Sequence, residues 1–166
     1  MSDDGNYESG SIFAIVRQFF LNDEWEFNEN EAEGQLRMEY EGENGTWRCL
    51  AQVVDERQRF LFFSVLPKFV PSLMRLESAE YLTRANYGME IGNFEMDFGD
   101  GEVRFRTCVD IEGGELTETM VKNLVYTNLA VMDQYLPGLK KVIDGLEPEK
   151  AIAEVESGDE GTVEEE

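Results

Sequence analysis

Residues 81–112 read YLTRANYGMEIGNFEMDFGDGEVRFRTCVDIE, and no other stretch of the 166-residue chain indicates as much about its fold. The pattern predicts the end of a helix, a stop at Gly88, and then a two-stranded hairpin over 92–112. Asp100-Gly101 is typical of a tight hairpin turn, because both residues tolerate the positive φ that a two-residue loop requires.

The turn also predicts which residues of the hairpin face each other. A slip of one residue would put carboxylates into the apolar row, so the side-chain pattern and the turn favour the same register. The predicted cross-strand pairs are Asp97 with Arg104, Glu95 with Arg106, and, on the other face, Met96 with Phe105.

The chain before this hairpin predicts one helix and three strands. Apolar residues at helical spacing indicate an amphipathic helix over 12–20, capped by Ser9 or Ser11. The acidic segment 22–34 is predicted to be a loop. The segment 59–67, RFLFFSVLP, is apolar on both faces, which is typical of a covered central strand.

Between the loop and the central strand, Asn44-Gly45 indicates a second hairpin. Its turn places Cys49 on the apolar face of the sheet. The predicted pairs are Glu41 with Arg48 and Tyr40 with Cys49.

The remaining segments predict helices. A second helix fits residues 71–86, and Thr117 is a suitable N-cap for a third. Pro137-Gly138 is expected to kink or break the third helix, and Pro148 to begin a short fourth one. The order is α-β-β-β-α-β-β-α-α. Tight turns imply antiparallel pairing, so the predicted fold class is α+β, a twisted antiparallel sheet of about five strands with helices packed on it.

Length and composition predict a single domain over residues 9–157, since a chain of 166 residues can bury a sizeable core. Residues 1–8 are expected to be a flexible N-terminus and residues 158–166 a disordered acidic tail. The first residues are acidic where a signal peptide would be basic and then apolar, so we expect a cytoplasmic protein.

The net charge is −22, and the excess lies at the two ends of the chain. Residues 1–58 carry 14 acidic and 4 basic side chains, and residues 147–166 carry 9 and 1. A field of this sign repels phosphate, so neither a nucleic-acid partner nor a membrane partner is expected. The acidity has two interpretations: solubility or adaptation to salt, and attraction of basic partners.

The residue types present do not predict a reaction. The chain has no histidine, the commonest general base and metal ligand. A zinc site would need Cys49 and Cys108, which the predicted registers place on opposite faces. The acidic residues of 97–102 lack the spacing of a calcium loop. We therefore predict no catalytic residue, no metal and no cofactor.

The charged face of the 92–112 hairpin is the best candidate for a functional surface. Arginines and carboxylates together can hold a polar peptide, although the same residues can form a solvent-facing ladder of ion pairs. Two residues at the exit of the second helix could border this face. The candidate partner-binding residues are Arg84, Asn86, Asn93, Glu95, Asp97, Arg104 and Arg106.

Several separated blocks of the sequence resemble the YbjN family, whose members are sometimes described as sensory transduction regulators. The blocks fall in the expected order over most of residues 9–156. They are GxWxCxA at Gly45, Trp47, Cys49 and Ala51, FxFFSVLP at 60–67, Val70-Pro71, YLTRANYGMEIGNFEMDFGDGEVRFRT at 81–107, and LVYTNLAVMDQYLPGL at 124–139.

The resemblance implies a fold like that of type III secretion chaperones, which are small, acidic, usually dimeric proteins that hold extended segments of other proteins. The implied function is a non-enzymatic regulatory or chaperone-like module, a homodimer, that binds another protein. Pairing with a sheet edge is the expected mode.

Two alternatives remain open at this point. One is a small-ligand sensor with a pocket between the sheet and the kinked helix near residues 135–138. The other is an enzyme that relies on Glu95 and Asp97. The expected arginine partners would keep these carboxylates ionised, which is the wrong state for a general acid.

Overall fold

Residues 10–158, the part of the chain that a computed structural model describes, form four helices and six strands. The predicted flexible residues 1–8, and residues 159–166 of the predicted tail, lie outside this range. The helices are α1 (Ile12–Asn22), α2 (Arg75–Asn86), α3 (Glu118–Ile143) and α4 (Pro148–Ser157). The strands are β1 (Asn28–Asn30), β2 (Gln35–Glu41), β3 (Thr46–Val54), β4 (Arg59–Val65), β5 (Asn93–Met96) and β6 (Val103–Asp110).

The strands form one antiparallel sheet in the order β1-β2-β3-β4-β6-β5. The predicted α+β class and the central place of β4 are confirmed. The prediction of about five strands was one short, because β1 lies in the segment expected to be a loop. After it, a turn that ends at Gly34, with φ +65°, brings the three residues of β1 back alongside β2. Three polar residues are too few to show a strand period.

The predicted N-caps of α1 and α3 and the predicted end of α2 are confirmed, whereas α2 begins at Arg75, after a 3₁₀ turn over Ser72–Met74, rather than at residue 71. Ser11 caps α1, its hydroxyl accepting from the Ala14 N–H at 3.1 Å, and Thr117 caps α3 in the same way through Met120. Each cap satisfies one N–H group of a first turn that has no partner within the helix. Helix α2 ends at Asn86, two residues before Gly88 with its φ of +85°.

The β2–β3 hairpin differs from its predicted register by two residues. Cys49 lies opposite Met38 rather than Tyr40, because the turn is formed by Glu43 and Asn44. The Asp133 carboxylate of α3 accepts from both turn N–H groups, at 2.9 and 2.8 Å. A shift of two residues keeps every side chain on its predicted face, so Cys49 is buried as expected.

Helices α1 and α3 pack on one face of the sheet, where the ring of Phe20 stacks on Phe62 at 6.1 Å. Asn128, within the apolar stripe of α3, is fully buried and donates to the carbonyl oxygens of Phe62 and Phe105 at 2.9 and 3.0 Å. It is therefore a core residue that ties α3 to two central strands. The largest fully buried side chains are Trp47, Tyr81, Phe20, Phe60, Phe62 and Phe105.

Helix α3 continues through Pro137, contrary to the expected break. Proline has no N–H group to donate to the carbonyl four residues earlier, which is that of Asp133. The Asn44 side-chain amide donates to this oxygen instead, at 3.0 Å. The β2–β3 turn thus supplies the hydrogen bond that the proline removes, and the helix runs on to Ile143.

None of the helices formed by residues 10–158 combines the length and the apolar character needed to cross a bilayer.

Candidate functional site

The candidate residues of the β5–β6 hairpin lie on the face of the sheet opposite α1 and α3, which we call the outer face. Along β4, Phe60, Phe62 and Ser64 point into the core and are fully buried. Leu61 and Val65 point to the outer face and stay partly exposed. The outer face therefore has an apolar centre on its central strand.

Strand register arranges the outer face in two neighbouring rows that run across the strands. Each row has apolar side chains in the middle and an arginine on either side of them. The first row is Arg37, Leu50, Phe63, Arg106 and Asn93, and the second is Glu39, Arg48, Val65, Arg104 and Glu95.

Glu95 binds both arginines of β6. Its carboxylate forms an ion pair with Arg104, its cross-strand neighbour, and lies 3.8 Å from Arg106 Nη2. The predicted register, which placed Glu95 opposite Arg106, was therefore wrong: Glu95 lies opposite Arg104, two residues away. The Arg104 guanidinium carbon also lies 4.4 Å from the centre of the Phe63 ring, which leaves that ring 7% exposed.

Asp97 lies in the turn rather than in the ladder, which corrects its predicted pairing with Arg104. Its carboxylate accepts from the Gly99 N–H at 2.7 Å, and its carbonyl accepts from the Gly101 N–H at 2.7 Å. Asp100 likewise accepts from the Glu102 N–H at 2.8 Å. These bonds close a four-residue loop in place of the predicted two-residue loop, and the pairing shifts by two.

Packing reinforces this longer loop. Gly101 has φ +85°, and a Cβ there would overlap the Val70 carbonyl oxygen. The Arg75 guanidinium donates to the carbonyls of Val70 and Phe98 at 3.1 and 3.0 Å. Residues of α2 and of the preceding connection therefore hold the loop in place.

The two candidates on α2 do not contribute to the outer face through any contact in the described structure. Arg84 pairs with Glu80 on its own helix at 3.0 Å. Asn86 bonds the backbone of Phe94, accepting from its N–H at 2.7 Å and donating to its carbonyl at 3.0 Å. A neighbouring strand would make the same pair of bonds, so Asn86 closes the free edge of β5 at this point.

An open groove of about 1050 Å³ follows the outer face. Besides Arg104, its lining consists of residues that are absent from the predicted site. They include Arg37, Arg48, Leu50, Phe63 and Val65, and also the carboxylates of Glu26, Glu39, Glu41 and Glu102. The alternation of polar and apolar residues in β2 and β3 was the available signal for Arg37 and Arg48. Phe63 lies in the segment predicted to be a covered central strand and is buried as expected, but its cover on the outer face is the Arg104 guanidinium.

Part of the region required by the small-ligand alternative is filled. Tyr81 donates from its hydroxyl to the Tyr135 carbonyl at 2.7 Å. A Cβ at Gly138 would overlap that hydroxyl and lie 2.7 Å from Val155 Cγ2. Side chains of α2 and α4 therefore occupy the space beside Gly138.

The two thiols lie on opposite faces of the sheet. Cys49 is buried against the Ser64 hydroxyl at 3.7 Å, and burial raises the pKa of its thiol from 9.0 to about 12. Cys108 is exposed on the outer face. Within residues 10–158, no three side chains of the histidine, cysteine, aspartate or glutamate type are grouped so that they could hold a metal ion.

Comparison with known proteins gives a family and solved structures of similar fold. A family model named YbjN and described as "Putative bacterial sensory transduction regulator" matches residues 13–141. No curated protein matches the chain. The structure titled "Crystal structure of YbjN, a putative transcription regulator from E. coli" is 14% identical, with a TM-score of 0.54 over 73% of this chain and 85% of that chain.

A second solved structure, that of the HopA1-SchA chaperone-effector complex, is 18% identical. Its TM-score is 0.47 over 74% of this chain and 91% of that chain.

Proposed function

The chain belongs to the YbjN family, and from this premise we propose that it is a non-enzymatic regulatory or chaperone-like module that acts by binding another protein. The family is described in terms of regulation, and the charge of −22 opposes direct contact with nucleic acid. Contact with a protein is the remaining way for such a module to act. The proposed module works in the cytoplasm, as the sequence led us to expect.

The observation that carries the proposal is the outer face. Leu50 and Val65 form a partly exposed apolar strip on the central strands, with Phe63 between them under the Arg104 guanidinium, and four arginines flank it. Binding surfaces typically combine an apolar centre with a polar rim, and arginine is enriched in them. The groove along this face is open and has a volume of about 1050 Å³.

Binding on the outer face differs from the mode first expected, which was pairing of a partner strand with a sheet edge. Pairing of a partner strand with the edge of β5 would need the N–H and carbonyl of Phe94, and Asn86 already bonds both. At the other edge, β1 has only three residues. We therefore propose that the partner lies across the face of the sheet rather than along its β5 edge.

An enzyme that uses the ladder carboxylates is disfavoured on the same geometry. Glu95 is engaged by two arginines and Asp97 by the backbone of its turn. Neither carboxylate is placed to exchange a proton with a substrate, which a general acid or base must do.

The proposal includes self-association, for which an exposed apolar cluster at the start of α2 gives support. Leu73 and Leu76 are 89% and 75% exposed. Phe69, four residues before Leu73, is 58% exposed, and Phe98, whose carbonyl accepts from Arg75, is 53% exposed. Exposed apolar side chains that are grouped together mark interfaces in soluble proteins. Sedimentation equilibrium should give twice the monomer mass, and Leu76→Lys should lower it towards the monomer.

Affinity capture from the native lysate tests the protein-binding role. We expect a stoichiometric partner with the wild-type chain and its loss with Val65→Lys or Arg48→Glu, which alter the centre of the outer face. Lys122→Glu on α3 is the matched control, because it makes the same charge change at an exposed position away from this face. Circular dichroism should show that all variants are folded.

Capture that is equally strong for all four chains would place the partner elsewhere and contradict the proposed face. An empty capture with folded wild-type protein, at both low and high salt, would contradict the protein-binding role itself.

A further inference from the structure

The two rows of the outer face specify the chemistry of the partner. We infer that the bound segment is extended and carries two carboxylates, one on each side of a large apolar side chain, in the pattern acidic-x-apolar-x-acidic. This inference rests on the proposed function, whose binding face it deepens.

The first argument is the charge of the two rows. They carry four arginines, Arg37, Arg48, Arg104 and Arg106, against two glutamates, Glu39 and Glu95. The two rows therefore carry an excess of two positive charges in a chain whose net charge is −22, while Glu26, Glu41 and Glu102 line the groove beyond them. A partner that complements this centre must bring negative charge.

The second argument is that these arginines have guanidinium N–H groups that no carboxylate of the described chain binds. The two on β6 share the single carboxylate of Glu95, and the Nε of Arg106 is buried without a hydrogen-bond partner. Arg37 donates to the neutral side chain of Gln35 at 2.9 Å. Arg48 forms no ion pair with any residue of 10–158. The side chains of all four arginines are at least partly exposed, so a partner's carboxylate can form charge-assisted hydrogen bonds with their exposed nitrogens, although not with the buried Nε of Arg106.

The third argument is the spacing along the first row. Arg37 and Arg106 lie three strands apart with Leu50 and Phe63 between them, a distance of roughly 14 Å at the usual strand separation. In an extended segment, residues i and i+4 point to the same side and are also separated by roughly 13–14 Å. A segment across the strands would thus place its carboxylates at the arginines and residue i+2 over the apolar centre.

The same charges restrict the occupant to a protein segment with few carboxylates. A polyanion such as a nucleic acid would extend past the arginines to the glutamates at the rim and to the acidic surface beyond, where like charges repel. Two carboxylates fit within the rows, whereas a continuous line of phosphates does not. Specificity then depends on short-range contacts, since the long-range field of the chain is negative.

Three synthetic peptides of matched size test the pattern, with binding followed by NMR titration of the isotope-labelled full chain. The first is Ser-Asp-Ser-Phe-Ser-Asp-Ser. The second replaces both aspartates by asparagine. The third, Ser-Ser-Asp-Phe-Asp-Ser-Ser, has the same composition as the first but turns its carboxylates away from the phenylalanine in an extended chain.

We expect the first peptide to bind about a hundredfold more tightly than either of the others, because both of those lose two charge-assisted contacts and each contact is worth about tenfold. The shifted resonances should lie on β3, β4 and β6. Arg37→Gln and Arg48→Gln should each weaken the first peptide about tenfold. Arg57→Gln is the matched control, because it removes an exposed arginine in the turn before β4 and should change nothing.

Equal affinity for the aspartate and asparagine peptides overturns the inference, as does the absence of binding by the first peptide at millimolar concentration. Equal affinity for the first and third peptides overturns the proposed spacing. These failures leave the proposed function intact if a native partner is still lost with Val65→Lys. Retention of the partner by that variant contradicts the proposed function instead.

Discussion

At the scale of single residues, Asn86 shows how a side chain can stand in for a strand. Its amide makes both hydrogen bonds that a neighbouring strand would make with Phe94. Asn86→Ala should lower the free energy of unfolding by about 1–3 kcal/mol, since it leaves a donor and an acceptor without partners at a partly buried site. Chemical denaturation measures this loss.

Asn123→Ala is the matched control, because Asn123 is an exposed asparagine of α3 whose side chain forms no hydrogen bond with residues 10–158. It should change stability by less than about 0.5 kcal/mol. If both variants lose the same stability, Asn86 is not a cap for β5. Size-exclusion chromatography should also show Asn86→Ala associating at high concentration, as an opened strand edge does.

The buried thiol leads to a second prediction at this scale. Burial raises the pKa of Cys49 from 9.0 to about 12, so the folded chain keeps this thiol protonated where the unfolded chain loses the proton. The stability that results is complete below pH 9 and is lost as pH rises towards 12, at about 1.4 kcal/mol per pH unit. Denaturant titrations between pH 8 and pH 11 measure the slope.

Cys49→Ala provides the comparison, because it removes the titrating group from both states. Its unfolding free energy should fall less steeply with pH than that of the wild type. Burial also raises the pKa of Tyr81, which adds a loss in the same direction that both chains share. Identical slopes would contradict the role of Cys49. In the native chain at pH 8, a thiol reagent should label Cys108 alone.

At the scale of elements, helix α3 accommodates a proline in its interior. The Asn44 amide satisfies the Asp133 carbonyl, but proline still restricts the helix. Pro137→Ala should therefore raise the free energy of unfolding, by about 1–2 kcal/mol of the roughly 3 kcal/mol that separates the two residues in helices. Thermal and chemical denaturation should agree on this gain.

The same substitution at Pro148 is the control, because that proline lies at the first position of α4, where its fixed φ and missing N–H are harmless. Pro148→Ala should leave stability unchanged or slightly lower it. If Pro137→Ala destabilises the chain, the bonds from the β2–β3 turn depend on the proline and the account of α3 is wrong.

The sequence allowed most elements to be predicted, and the errors have physical causes. In both hairpins the predicted faces were right, because the side-chain period of two survives a shift of two residues. The predicted partners were wrong, because the turns are set by contacts that local sequence does not contain. Asp133 bonds one turn from a distant helix, and Arg75 holds the other.

The candidate site was predictable only in part for a related reason. Glu95, Arg104 and Arg106 could be placed on one face from the alternation of β5 and β6. The rows that they share with Arg37 and Arg48 depend on the order of strands in the sheet, which brings β3 and β6 to either side of β4. The alternation along one strand predicts on which face of the sheet a side chain lies. It does not predict which residues of other strands lie beside it.

At the scale of the whole molecule, electrostatic repulsion opposes the folded state. The chain has 36 acidic and 14 basic residues. We expect the melting temperature at pH 7 to rise by several degrees between about 20 mM and 500 mM NaCl, because salt screens like charges brought together by folding. Differential scanning calorimetry measures this change.

The control for this prediction is the same salt step near the sequence pI of about 4.2, where the net charge disappears. There the shift should be small. A fall in melting temperature at pH 7 would mean that the ion pairs, which salt weakens, matter more to this fold than the repulsion does.

The hydrogen bonds from the β2–β3 turn to Asp133 join residues 89 and 90 positions apart. During synthesis, the ribosome completes this hairpin long before it delivers the helix that fixes the turn. Contacts between positions so distant in sequence are slow to form. The hairpin's own Asn-Gly therefore does not determine when its pairing becomes final. The β2–β3 pairing becomes final only after α3 has emerged from the ribosome, near the end of synthesis.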